Sequence, residues 1–204
     1  METQDNEIDD TDVQVEQTSS KEAKADRRQE FFRKARERSG YERKWFLNRL
    51  HDETTLVFQT TKGLLFGTLK SFGVFDFKVM KKNAEEPIDL PKLDTFIIAE
   101  GKAWKFLEKN LKVHEPTKAK KLTPKPGAAY EAPIEEGLVE KAIEKKEQLA
   151  IMLLNGTIII GVPVVESMYS ILVKVPHAKG KPMMVFKHGA TGVRLYKDLK
   201  PLIG

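Results

Sequence analysis

The chain contains no cysteine. That absence excludes disulfides, thiolate zinc sites and cysteine nucleophiles, and it fits a reducing compartment. Long apolar runs are missing too. The longest, Leu149 to Val165, is broken by Asn155, Gly156, Gly161 and Pro163, so no stretch reaches the ~20 residues that a membrane-spanning helix needs. Basic residues are absent from positions 1 to 17, which carry seven acids from Glu2 to Glu16. A secretory leader needs the opposite, basic residues followed by an apolar stretch, so the expected location is the cytoplasm. No phosphate-cradling GxxxxGK loop occurs, and no Ser/His/Asp or paired-carboxylate arrangement can be placed. His51, His114 and His177 are scattered without ligand-like spacing, so neither a metal, a cofactor nor catalysis is expected.

What is present is a chain of 204 residues, 40% of them hydrophobic, with a formal net charge of +5. Apolar runs spread along the whole length suggest two small cores rather than one. The excess charge is compatible with an anionic partner but too small to identify one. Its distribution is more pointed: residues 21 to 44 hold ten basic residues against five acidic ones.

Composition divides the chain into five parts. Residues 1–20 are acidic and poor in large apolar groups, and are expected to be disordered. Residues 21–42 are basic and rich in helix formers, with Gly40 expected to stop a helix over 21–38. Residues 43–107 begin with Trp45, Phe46, Leu47 and Leu50 on one helical face. Short apolar or alternating runs follow, separated by Gly67 and Gly73, where glycine suits a sharply curved strand. Lys81 to Leu93 is expected to be a polar connection, and Thr95 to Leu107 two short strands hinged at Gly101. Residues 108–137, with Pro116, Pro124, Pro126 and Pro133 among lysines, are expected to be an extended linker. Residues 138–204 repeat the plan: a helix with Leu138, Val139, Ala142 and Ile143 on one face, then strands over 150–154, 157–165, 169–175, 183–187 and 191–195. A helix and about five short strands thus occur twice, an internal repeat.

The motifs that carry the repeat are Phe46-Leu47-Asn48-Arg49-Leu50 and Gly67 through Ser71-Phe72-Gly73-Val74-Phe75 in the first half, and Leu153-Leu154-Asn155-Gly156 and Phe186-Lys187-His188 in the second. At these residues the chain resembles the bacterial Sm-like RNA chaperone family Hfq, over roughly 43–107 and 138–196. The resemblance implies a mainly β fold with short helices: two small five-stranded, bent-sheet barrels, each preceded by an α-helix. It implies homo-oligomers closed by pairing of open strand edges. Six modules are reached most simply by a trimer, although a dimer and a ring of six chains also fit.

The resemblance also implies a site for single-stranded, uridine-rich RNA and a role in post-transcriptional regulation. Its residues are Lys187 and His188 as donors, Tyr169 and Phe75 as stacking surfaces, with Phe186, Arg43, Asn155 and Gly156. Read without the resemblance, Phe75 and Tyr169 are ordinary core or interface aromatics, and His188 is a satisfied interfacial side chain. The halves depart from the family pattern differently. Ala99-Glu100 is expected to stand where the second half has Lys187-His188, and Glu166-Ser167-Met168-Tyr169 replaces the Ser-Phe-Gly-Val-Phe signature. Adenine reading through Met152, Leu153, Asn155, Gly156 and Ile160 is weakened, and no arginine rim follows either helix. Arg27, Arg28, Arg33, Lys34, Arg36 and Arg38 offer a substitute rim or a merely solvated helix. Two functions therefore stay open: an RNA-binding protein, and an Sm-like ring serving as a structural or protein-binding hub.

Overall fold

The computed structural model describes residues 40–127, 132–176 and 181–203, with the side chains of 200–203 left aside. The expectations for the acidic tail and for the basic helix over 21–38 fall outside these residues. The described chain is mainly β, one antiparallel sheet with short helices. Helix α1 (40–51) comes first, and Gly40, expected to stop a helix, lies at its described start. Strands β1 (Thr55–Thr60), β2 (Gly63–Phe72), β3 (Asp76–Lys81), β4 (Ile88–Pro91) and β5 (Thr95–Glu100) follow. After helix α2 (Gly101–Leu107), the two-residue strand β6 (Lys112–Val113) and helix α3 (Glu115–Ala119), a second series begins with α4 (Leu138–Lys145). It continues through β7 (Leu149–Leu153), β8 (Thr157–Glu166), β9 (Ser170–Lys174), β10 (Pro182–Phe186) and β11 (Ala190–Leu195), and ends in α5 (Tyr196–Ile203).

The strand order is β11-β7-β8-β9-β10-β5-β1-β2-β3-β4. The order 5-1-2-3-4 of the first series thus recurs in the second, and the two are joined where β10 pairs with β5, Met184 opposite Ile98 and Val185 opposite Ile97. Even the irregularities repeat. The β2–β3 register shifts between Leu69 and Ser71, and the β8–β9 register between Pro163 and Val165. Each long strand passes from one neighbour to the next at a glycine, Gly67 or Gly161. A Cβ on Gly67 would lie 2.5 Å from the Met80 carbonyl oxygen, and one on Gly161 would lie 2.6 Å from that of Lys174. Only glycine lets the two backbones approach so closely.

Two cores straddle the seam. Trp45 and Phe46 of α1 cover Leu56, Phe58, Phe77 and Ile98, and Leu172, Met184 and Phe186 of the second series join them. On the other face Val139 and Ala142 of α4, with Trp104 and Leu107 of α2, pack on Ile151, Ile159, Val173 and Val185, joined by Val57, Ile97 and Ala99 of the first. β5 is consequently buried at every position, which explains its unbroken apolar run Phe96-Ile97-Ile98-Ala99.

Three expectations are corrected. The connection after Lys81 contains a strand, β4, short and ending at Pro91. Proline is tolerated there because β4 is the last strand of the sheet among the described residues, with no described strand on its outer edge. Gly101–Leu107 is a helix, not a strand, because Ala103, Trp104 and Leu107 fall on one helical face and are all buried. The linker is not simply extended: β6 pairs with β8, and α3 buries Thr117 against the second series.

Candidate nucleic-acid interface

Each series places an aromatic residue in the turn after its long strand and ties that turn to the segment before its last strand. In the second series the Lys187 amide donates to the Tyr169 carbonyl at 2.8 Å. The first series makes the same bond, from the Lys92 amide to the Phe75 carbonyl, also 2.8 Å. Short 3-10 turns, Lys92–Asp94 and Lys187–Gly189, occupy matching places before β5 and β11. The counterpart of Lys187-His188 is therefore Lys92-Leu93, not Ala99-Glu100 as expected from the sequence. Ala99 and Glu100 lie further on, inside β5. The first series keeps the lysine and puts leucine in place of the histidine.

The aromatic tips are open to solvent. Phe75 is 81% exposed beside the exposed Val74, and Tyr169 is 43% exposed. The cations behind them are not. Lys187 is only 6% exposed, and its Nζ donates to Glu166 Oε1 at 2.6 Å. Lys92 lies with its ammonium 5.1 Å from the centre of the Phe77 ring, a cation–π geometry. Burial pushes its pKa below the ordinary lysine range, against the pull of Glu42 and Asp76.

His188 is buried, its Nε2 is 2.9 Å from the Thr95 carbonyl oxygen of the first series, and its ring stacks on Phe186 at 5.5 Å. A carbonyl only accepts, so Nε2 carries the proton and donates. Burial lowers the imidazole pKa, opposed by the Thr95 bond and, less strongly, by Asp94. Phe186 itself is a core residue, packed 6.2 Å from Phe77. Both therefore hold the seam, and Phe186 offers no surface to a ligand.

The remaining expected residues are elsewhere. Arg43 lies exposed on α1. Asn155 and Gly156 form the β7–β8 turn, at the opposite end of β8 from Tyr169, and that turn is engaged by the chain itself. Asn155 Oδ1 accepts from the Thr157 amide at 3.0 Å, and the Gly156 carbonyl accepts from the His114 amide at 2.8 Å. Gly156 has a φ of +82°, and a Cβ there would meet the His114 carbonyl oxygen at 2.8 Å and Lys118 Cβ at 2.9 Å. Its glycine serves the linker, which excludes it from the surface set.

Three acids complete the arrangement, through pairings that the sequence did not announce. Glu166 neutralises Lys187. Glu42 on α1 accepts from the Ser167 and Ser170 hydroxyls at 2.7 and 2.8 Å, latching α1 across the seam. Glu100 holds Arg49 at 2.8 Å and also Lys181. Nothing local in the sequence marks Glu42 or Glu100. Lys92 was legible, since it follows Phe75 at nearly the interval by which Lys187 follows Tyr169.

The geometry thus defines a tandem β assembly with two exposed aromatic tips, each backed by a lysine that is paired or partly desolvated. Comparison with protein-family models, with curated proteins and with solved structures finds no match. No helix among the described residues is long and apolar enough to cross a membrane.

Proposed function

We propose that the chain is a tandem of two Sm-like modules that binds single-stranded, uridine-rich RNA in the cytoplasm and acts in post-transcriptional regulation. The observation that carries this reading is the repeated bond between an aromatic turn and a lysine, Phe75 with Lys92 and Tyr169 with Lys187. An unpaired base stacks on each exposed ring. We further propose that chains associate head to tail through the free edges of β4 and β11, most simply three chains carrying six modules.

A specific observation favours the hub reading as the runner-up: Glu166 already satisfies Lys187. Fluorescence anisotropy with labelled oligo-U, at two salt concentrations, separates the two. Phe75→Ala and Tyr169→Ala should each weaken binding by about 1–3 kcal/mol per stacked base. Oligo-U affinity unchanged in the double variant would leave the hub as the better reading.

A further inference from the structure

The N-terminal half of β2 has one edge that no strand among the described residues pairs. β1 bonds to β2 along Gly63 to Thr68, but β3 takes the other edge only from Gly67 onward. In the second series the matching half of β8 is covered. Lys112 and Val113 of the linker pair there with Ile158 and Thr157 as β6, and Ile158 is buried. Leu64 and Phe66, at the places of Ile158 and Ile160, are instead 42% and 50% exposed. Alternation along a strand puts both on one side. Exposed lysines flank them, Lys62 at one end and Lys81 and Lys82 at the other.

We propose that the half-edge Gly63–Phe66 accepts an added strand from a protein partner, an extended segment with two apolar residues at alternate positions between acidic ones. Backbone bonds to the open edge would supply affinity, and Leu64, Phe66 and the flanking lysines would supply selectivity. β6 is the molecule's own precedent for such an addition. The linker's whole pose does not transfer to β2: α3 closes tightly on Gly156, just before β8, whereas Lys62 stands just before β2. The first series therefore takes the strand without the helical turn. This inference is independent of RNA binding, which uses the turn at the other end of β2.

The probe is a labelled synthetic peptide with the sequence of Thr11 to Gln17, in which two valines alternate between an aspartate and a glutamate. It is titrated into the full chain and into a chain lacking residues 1–20. Saturable binding to either form is expected. Affinity should fall at least tenfold in Leu64→Asp/Phe66→Asp, and for a control peptide with its valines adjacent. Leu64→Ser/Phe66→Ser replaces the aspartate pair if circular dichroism shows that pair unfolded. Oligo-U affinity should stay unchanged in these variants, so failure here and failure of the RNA reading are separately visible. The proposal is overturned if the peptide binds neither form, or binds wild type and variants alike. It is also overturned if the variants lose single-stranded RNA instead, which would make this edge a nucleic-acid surface.

Discussion

At the scale of the residue, the decisive question is whether Lys187 serves a ligand or only Glu166. Their 2.6 Å pair is largely buried, so removing the lysine alone strands a carboxylate, at a cost of about 3 kcal/mol. Lys187→Ala therefore mixes folding with binding. Glu166→Gln is the cleaner change: it keeps a hydrogen-bonding group and frees the positive charge. If the tip binds RNA, Glu166→Gln should strengthen oligo-U binding about threefold to tenfold and steepen its salt dependence; no change by anisotropy would mean that the pair is structural. His188 gives a second test. Its imidazole titrates near 6.5 when unfolded and lower when folded, because burial penalises the charged form. Between those values the unfolded chain binds more protons, so this stabilisation is complete above about pH 6.5 and is lost as pH falls through the folded value. His188→Gln keeps a donor towards Thr95, and should flatten the pH dependence of the urea midpoint below about pH 6.5. Motif order had put Tyr169, Lys187 and His188 in one site; the fold joins Lys187 to Tyr169 through a backbone bond and turns His188 to the seam. The three acids were not legible, because their partners come from distant segments.

At the scale of the element, the repeat was readable because glycine is required at the same close backbone approach twice. Gly67→Ala and Gly161→Ala each place a methyl about 2.5 Å from a carbonyl oxygen of the neighbouring strand. Each should destabilise the chain by roughly 1–3 kcal/mol, seen as a lowered unfolding midpoint with little change in cooperativity. The spacing of apolar runs around Gly67 was read as a curved strand with a close backbone approach, and β2 runs unbroken through Gly67 with the Met80 carbonyl against it. β4 escaped notice because proline and charge in a run of four residues suppress the usual strand signal. α2 was misread because Phe96 to Leu107 is apolar at both strand and helix spacing, and only the burial of Ala103, Trp104 and Leu107 separates the two. The linker's docking was invisible for another reason. It depends on the shape of the Gly156 turn and on an open half-edge of β8, neither of which leaves a local pattern in residues 108–127.

At the scale of the whole molecule, the internal seam and the free ends can be compared position by position. β10 matches β4, so Leu172 and Met184, opposite neighbours in β9 and β10, correspond to Lys78 and Asp89 in β3 and β4. The first pair is buried in the core at the seam, whereas the second is an exposed ion pair 3.5 Å apart. β4 also ends in proline and is only four residues long, features that blunt an edge. The latch of Glu42 on Ser167 and Ser170 has no equivalent at β4, where Gly73 and Asp76 take the serine places. Any association through β4 and β11 must therefore be weaker than the seam within the chain. Light scattering over a dilution series should show six-module assemblies at high concentration dissociating to intact single chains, with no loss of β structure by circular dichroism. Lys78→Leu with Asp89→Met gives the free end the chemistry of the internal seam, and should move that dissociation to at least tenfold lower concentration, about 1.4 kcal/mol. A single chain at every concentration, in wild type and variant alike, would rule out head-to-tail pairing and leave the two modules to act as one closed pair.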